Sequence, residues 1–227
     1  MSDTAWHSGD MEDIPVRVLE ELEACDIRPG RPLIAVDADE VLVHFAEDFA
    51  AYCTARGNTF SLTEYSLDTA LRGPDGKPLT RDQIMPLIHG FIDAETHRQR
   101  MIEGAAAALE RLTDIAQIVV LTNAPHKVRD QRVQNLAGHG MPFPVVMNEG
   151  GKGRPLAWMA ERAQAPLAFV DDSPAQHGSA AKYAPGVARL QLIGSTMLKP
   201  IIGKSDAAQA HPDGWIEAEA AIRSVLA

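Results

Sequence analysis

The stretch LIAVDADEVL, residues 33–42, decides the fold of this 227-residue chain. Its first four residues form a continuous apolar run, which is typical of a strand buried on both faces of a parallel sheet. The run ends at two acidic residues, Asp37 and Asp39. Because ligands of open parallel sheets bind beyond the carboxyl ends of the strands, the stretch predicts a central strand that delivers two carboxylates to a binding crevice.

Two later apolar runs have the same design. Residues 118–121 end at Thr122-Asn123, and residues 167–170 end at Asp171-Asp172. The carboxyl ends of parallel strands lie at one edge of the sheet, so these polar residues are expected to meet Asp37 and Asp39 in space.

Helix-like stretches alternate with the apolar runs. The predicted helices cover residues 14–22, 101–112, 126–136, 154–163, 173–183 and 215–226, and weaker strand candidates cover residues 144–147 and 187–193. Such alternation predicts an α/β fold with a doubly wound, Rossmann-like parallel sheet and right-handed crossovers.

The first and second strands are separated by an unusually long stretch, residues 44–100. It contains two capping-box patterns, residues 61–64 and 80–83, with a turn-rich segment at residues 72–78 between them. The pattern predicts a small helical cap inserted after the first strand. Residues 1–43 and 101–227 would then form the α/β core, and residues 44–100 the cap.

The bulk composition restricts the partners. The formal net charge is -10 and the pI is near 5.2, so the surface repels nucleic acids and anionic membranes, and neither is an expected partner. The two cysteines have no metal-ligand spacing, the first residues do not resemble a signal peptide, and no apolar run approaches a membrane span. A cytoplasmic location is the expectation.

The predicted crevice gathers four carboxylates, one hydroxyl and one ammonium. They belong to Asp37, Asp39, Asp171, Asp172, Thr122 and Lys152, the last from the glycine-rich loop 150–153. Four carboxylates cannot all remain ionised without a compensating cation, and hard oxygen ligands beside room for a phosphate favour Mg²⁺. The residues therefore suggest a magnesium cofactor and a small phosphorylated substrate.

Four motifs resemble those of the haloacid dehalogenase (HAD)-like hydrolase superfamily. Residues 37–42, DADEVL, resemble its first motif, Thr122-Asn123 its second, Lys152 before a helix its third, and residues 171–174, DDSP, its fourth. All four occur in the family's order. The resemblance implies the phosphatase branch, and the insertion after the first motif is similar to a C1-type cap.

The resemblance also implies a role for each residue. Asp37 would be the nucleophile that forms an aspartyl phosphate, and Asp39 the general acid and base. Thr122, the backbone N–H of Asn123 and Lys152 would bind the phosphoryl group. Mg²⁺ would be held by Asp37, Asp172 and the backbone carbonyl of Asp39, with Asp171 acting directly or through water. The implied reaction is hydrolysis of a phosphomonoester.

Several alternatives stay open at this stage. A phosphotransferase or phosphomutase of the same superfamily, or a non-catalytic protein that binds Mg²⁺ or a phospholigand, could carry these motifs. An acid at Asp39 favours phosphoryl transfer over dehalogenation, since a halide leaving group needs no proton. Glu40 stands where many members have glycine, and Gln176 where a further acid is common.

Some side chains have competing interpretations. Lys127 and Lys182 are alternatives to Lys152 as the lysine of the site. Three aromatic residues at helical spacing indicate the core of the cap or, as a second interpretation, the substrate pocket: Phe45, Phe49 and Tyr52. Three histidines that flank the motifs are left out of the predicted site: His44, His126 and His177.

Overall fold

A parallel five-stranded sheet forms the centre of the chain. The computed structural model describes residues 13–61 and 70–227. The sheet order is β5-β4-β1-β6-β7. In chain order the elements are α1 (Val16–Glu23), β1 (Leu33–Val36), α2 (Ala46–Thr54), β2 (Thr59–Phe60), β3 (Leu71–Arg72), α3 (Arg81–Glu95), α4 (Ala105–Leu112), β4 (Gln117–Asn123), α5 (Arg129–Gly138), β5 (Val145–Asn148), α6 (Gly153–Ala163), β6 (Leu167–Asp171), α7 (Pro174–Tyr183), β7 (Ala188–Gln191) and α8 (Trp215–Leu226). The predicted α/β, doubly wound fold class is confirmed.

The register of the sheet aligns the acidic ends of its strands. Val36, the last residue of β1, pairs with Val120 on one side and Val170 on the other. Asp37 is therefore level with Asp171, which ends β6. Alternate residues of β1 face opposite cores: Ile34 and Val36 belong to one apolar cluster, and Leu33 and Ala35 to the other. Helices cover both faces, which explains why the strand sequence is apolar throughout.

Most predicted helices agree with the structure to within a few residues. The largest difference is at α4, which begins at Ala105 and not at Met101. Met101 pairs with Val43 in a short bridge, and Gly104 has a left-handed φ of 83°, so the chain turns before the helix starts. At the predicted start of α5, residues His126–Val128 form a 3₁₀ turn.

The segment between β1 and β4 contains α2, α3 and a small β-hairpin. The capping box at Thr80 is present, since its backbone N–H donates to the Gln83 side chain at 2.9 Å. Residues 62–64 of the other predicted capping box lie outside the described residues. The antiparallel pair β2–β3 was not predicted, because two residues per strand are too few to show an alternating pattern.

Aromatic side chains form the interior of this segment. The rings of Phe45 and Phe91 meet edge to face at 5.2 Å, and Phe49 and Tyr52 lie 5.5 and 5.6 Å from Phe91. Phe49 and Phe91 are buried. The interpretation of Phe45, Phe49 and Tyr52 as core residues therefore agrees with their contacts.

Two chain crossings connect this segment to the sheet, side by side. The backbone N–H of His44 donates to the carbonyl of Arg100, and that of Ile102 to the carbonyl of Leu42, both at 2.8 Å. The division into a core and a cap stays a prediction. Its two predicted boundaries, 43/44 and 100/101, lie where the two chain crossings are hydrogen-bonded to each other. None of the helices formed by residues 13–61 and 70–227 has both the length and the apolarity that a membrane span requires.

The contact between α6 and α7 gives a test of the packing. A Cβ added at Gly153 would overlap the backbone carbonyl of Ser179, whereas a Cβ at Gly178 would meet no heavy atom within 4 Å. We expect Gly153→Ala to lower the free energy of unfolding by about 1–3 kcal/mol, because neither backbone can move away cheaply. The measurement is chemical denaturation.

Gly178→Ala is the matched control in the adjoining helix. Since Gly178 lies within α7 without a positive φ, this change is expected to be neutral or stabilising by up to about 1 kcal/mol. Equal stability of the two variants would contradict the close approach of α6 and α7.

Candidate active site

A buried lysine lies between two carboxylates at the carboxyl edge of the sheet. The Nζ atom of Lys152 is 2.9 Å from Oδ1 of Asp37 and 2.6 Å from Oδ2 of Asp171. Lys152 is 1% exposed and Asp171 is fully buried. Asp37, at the end of β1, thus meets a residue of β6 and a residue of the loop before α6, as the topology predicted.

Asp172 completes a group of three carboxylates. One oxygen each of Asp37, Asp171 and Asp172 lies within 4.8 Å of the others. Opposite ligands of an octahedral Mg²⁺ ion are separated by about twice the 2.0–2.1 Å metal–oxygen distance, or roughly 4.2 Å. The three residues therefore offer closely spaced oxygen donors of the kind that a divalent cation binds.

The electrostatics of the group reflect burial and crowding. Burial raises the pKa of Asp171 to about 7, against the opposing effect of Lys152. Burial and the carboxylates of Asp171 and Asp37 raise the pKa of Asp172 well above its ordinary value. Burial alone would lower the pKa of Lys152, but Asp171 and Asp37 raise it above its ordinary value, so the lysine is an ammonium.

Gln176 positions the lysine loop. Its Oε1 accepts a hydrogen bond from the backbone N–H of Lys152 at 2.8 Å, and its Nε2 donates to the carbonyl of Gly150 at 3.3 Å. The residue that departs from the family pattern is thus a support for the loop. Among the alternatives to Lys152, Lys127 pairs with Asp93 at 2.7 Å and Lys182 lies over the Tyr183 ring.

Thr122 and Asn123 end β4 beside the group. Thr122 is fully buried, and in the described part of the chain its Oγ1 has no hydrogen-bond partner. Asn123 donates from Nδ2 to the carbonyl of Gly150 at 2.8 Å and accepts from Asn148 at 2.8 Å. The Asn123 side chain therefore braces the lysine loop.

Asp39 pairs with a different cation, Arg132. Its Oδ1 accepts hydrogen bonds from Nη2 of Arg132 at 2.6 Å and from Nε2 of Gln99 at 3.3 Å. Burial raises the pKa of the Asp39 carboxyl, while Arg132 opposes this shift and Asp37 adds to it. Among the described residues, the Asp39 carboxylate does not belong to the group of possible metal ligands. The predicted metal contact of Asp39 stays a prediction.

Glu40 connects the strand-end loop to α2. It has a left-handed φ of 63°, and its Oε1 accepts hydrogen bonds from the backbone N–H groups of Phe45 and Ala46. The carboxylate thus satisfies N–H groups at the start of α2, which have no partner within the helix. Burial raises the pKa of Glu40 to about 7.

Several residues of the site neighbourhood were missed from the sequence. Arg132 and Gln99 lie far from Asp39 in the chain, and neither belongs to a motif. The one available signal was an arginine at a core-facing position of α5. Arginine is almost never fully buried unless it is paired, so this position indicates a buried acidic partner. Of the histidines that flank the motifs, His126 pairs with Glu21 at 3.1 Å, outside the group, whereas His177 contacts the backbone carbonyl of Asp171 at 3.0 Å.

The comparisons with known proteins identify the fold. No protein-family model matches the sequence, and no curated protein matches it. Solved structures do match this chain. A HAD family hydrolase from Deinococcus radiodurans R1 with bound phosphate and sodium is 17% identical, with a TM-score of 0.59, over 88% of this chain and 97% of that chain.

Two further similar structures are described as enzymes of two different kinds. A protein described as a predicted phosphoglycolate phosphatase from Haemophilus somnus 129PT is 19% identical, with a TM-score of 0.59, over 84% of this chain and 97% of that one. The L-2-haloacid dehalogenase from Xanthobacter autotrophicus, with chloropropionic acid covalently bound, is 12% identical, with a TM-score of 0.52, over 84% and 98%. The chain therefore has the fold of the HAD-like hydrolases, as the four motifs predicted.

The crowding of carboxylates predicts a pH-dependent stability of the metal-free protein. A carboxyl whose pKa is raised by folding stabilises the folded chain below its unfolded-state pKa of about 4. This contribution is lost as the pH rises through the folded-state pKa, which is about 7 for Asp171. We expect Asp172→Asn to raise the melting temperature in the presence of a chelator at about pH 8, with a smaller difference near pH 4.

The control is Asp75→Asn, since Asp75 is exposed in the turn between β3 and α3. Its melting temperature should follow that of the unaltered protein at both pH values. Each kcal/mol of stability corresponds to roughly 2–4 °C for a chain of this size. A lower melting temperature of Asp172→Asn at about pH 8 would show that Asp172 is stabilised by contacts and not repelled by its neighbours.

Proposed function

We propose that this chain is a Mg²⁺-dependent phosphomonoester hydrolase of the HAD-like superfamily that acts through an aspartyl phosphate on Asp37. The observation that carries the proposal is the Lys152 ammonium, 2.9 Å from Asp37 and 2.6 Å from Asp171, beside a third carboxylate. A lysine that orients one oxygen of an acidic nucleophile, next to a site for a divalent cation, suits attack on an anionic phosphoryl group.

The charge balance supports the metal. With all three carboxyls ionised, the group would carry two more negative charges than the Lys152 ammonium balances, and it would repel a phosphate ester. Mg²⁺ held by Asp37, Asp172 and the Asp39 backbone carbonyl, with Asp171 contributing directly or through water, would balance this charge. When bound, Mg²⁺ supplies electrostatic shielding between the nucleophile and the phosphoryl oxygens.

The first step is transfer of the phosphoryl group to the protein. A carboxylate oxygen of Asp37 attacks phosphorus, the bond between phosphorus and the ester oxygen breaks, and Asp39 gives its proton to the departing alcohol. Lys152, the Thr122 hydroxyl and the backbone N–H of Asn123 hold the phosphoryl oxygens. The buried Thr122 hydroxyl, without a partner among the described residues, supports this role.

The second step releases phosphate. Asp39, now ionised, takes a proton from a water molecule that attacks the phosphorus of the aspartyl phosphate. The bond between phosphorus and the Asp37 oxygen breaks, which gives inorganic phosphate and the free carboxylate. Residues 44–100 would act as a cap that excludes bulk water during both steps and contacts the substrate.

One observation favours phosphoryl transfer over dehalogenation, although enzymes of both kinds have this fold. Asp39 is anchored beside the nucleophile by Arg132 and Gln99. Departure of a halide needs no proton donor, whereas departure of an alcohol does, so an anchored carboxyl group at this place favours phosphoryl transfer. Product analysis separates a hydrolase, which releases inorganic phosphate, from a transferase that passes the group to a second hydroxyl.

We expect the protein to hydrolyse 4-nitrophenyl phosphate with added Mg²⁺ and to lose the activity in excess chelator. Asp37→Asn should lower kcat by at least roughly 10³-fold, because the neutral amide is a poor nucleophile. The control is Asp75→Asn, which should retain full activity. Retention of activity in folded Asp37→Asn would exclude Asp37 as the nucleophile.

A second variant tests the proton transfer. Asp39→Asn should lower kcat/KM by about 10²–10⁴-fold for an ester with a basic leaving group, because the amide cannot donate the proton. The phosphoenzyme should still form slowly, and acid-quenched protein can be assayed for it by mass spectrometry. An unchanged rate would remove Asp39 from the mechanism.

A further inference from the structure

Arg132 is a buried cation that no motif accounts for. It lies on α5 and is 2% exposed, yet it carries a permanent charge. Among the described residues it pairs with Asp39, through a contact of 2.6 Å between Nη2 and Oδ1. The Nε and Nη1 atoms have no hydrogen-bond partner in residues 13–61 and 70–227.

This arrangement is a poor way to gain stability. Burying a guanidinium is costly unless its donors are paired, and here two nitrogen atoms are not. A buried ion pair often contributes no more than apolar side chains of similar volume would. A functional need for the ion pair with Asp39 therefore explains the burial of Arg132 better than a contribution of Arg132 to folding stability does.

The contacts of Asp39 show what the ion pair accomplishes. Its Oδ1 receives two donors, Arg132 from α5 and Gln99 from the second chain crossing. Gln99 is itself fixed, since its Nε2 also donates to the carbonyl of His44 at 3.1 Å. Among the described residues no hydrogen bond reaches Oδ2. One oxygen is thus anchored from two directions, and the other is available for proton transfer.

We propose that Arg132 is a positioning residue, which fixes Asp39 through Oδ1 so that Oδ2 delivers its proton to the leaving oxygen. This inference rests on the proposed phosphomonoesterase function. Arg132 touches no reacting atom in this scheme. It acts through Asp39, and its effect should therefore grow with the need of the leaving group for a proton.

The dependence on the leaving group separates this role from a structural one. 4-Nitrophenol leaves readily as an anion, whereas phenol resembles the tyrosine side chain, with a pKa of about 10. The value of kcat/KM for each ester reports the steps through cleavage of the bond between phosphorus and the leaving oxygen. A general loss of fold integrity would lower both values by the same factor.

The experiment compares Arg132→Met with Arg129→Met on the two esters, in the full chain with Mg²⁺. Arg129 lies on the same helix and bonds to Glu21 and to the carbonyl of Val145. We expect Arg132→Met to lower kcat/KM by about 10²-fold or more for phenyl phosphate, and by roughly tenfold or less for 4-nitrophenyl phosphate. Arg129→Met should lower neither.

Arg132→Lys provides a second test if the methionine variant does not fold. Lysine keeps the charge but not the fork that fixes the carboxylate, so the same preferential loss on phenyl phosphate is expected at a smaller factor. Equal losses on the two esters, or no loss on either, in a folded variant would overturn the role of Arg132 and leave the proposed function standing. Failure of the unaltered protein to hydrolyse either ester would refute the proposed function, and the inference with it.

Discussion

The contact of the Lys152 ammonium with Asp37 and Asp171 is the constraint on which the rest of the site depends. Each of the two carboxylates lies within 3 Å of the same nitrogen, in an interior where unpaired charges are costly. The lysine reaches them because Gln176 and Asn123 fix the loop before α6. The carboxylates reach the lysine because β1 and β6 are adjacent and in register.

Much of the fold could be predicted from the sequence because its strands are buried on both faces. The runs that became β1, β4 and β6 are continuous and apolar, and each ends abruptly at polar residues. The outer strands β5 and β7 gave weaker patterns. The β2–β3 hairpin gave none, because its pairing depends on tertiary contacts and not on a local repeat.

The residues of the site also differ in how far the sequence predicts them. Asp37, Thr122 and the Asp171–Asp172 pair could be predicted because strand ends converge by topology alone. Lys152 needed the structure to distinguish it from Lys127 and Lys182, since a loop lysine has no periodicity. The anchoring of Asp39 by Arg132 and Gln99 could not be predicted, because it depends on the rotation of α5 and on how the two chain crossings meet.

The position of β1 in the middle of the sheet has a consequence for synthesis of the protein. Its neighbours, β4 and β6, both follow it in the chain. A nascent chain that leaves the ribosome therefore carries Leu33–Val36 with both edges unpaired until much of the remainder has been translated. The acidic residues that follow this strand would keep the emerging segment hydrated during that interval, before they have a basic partner.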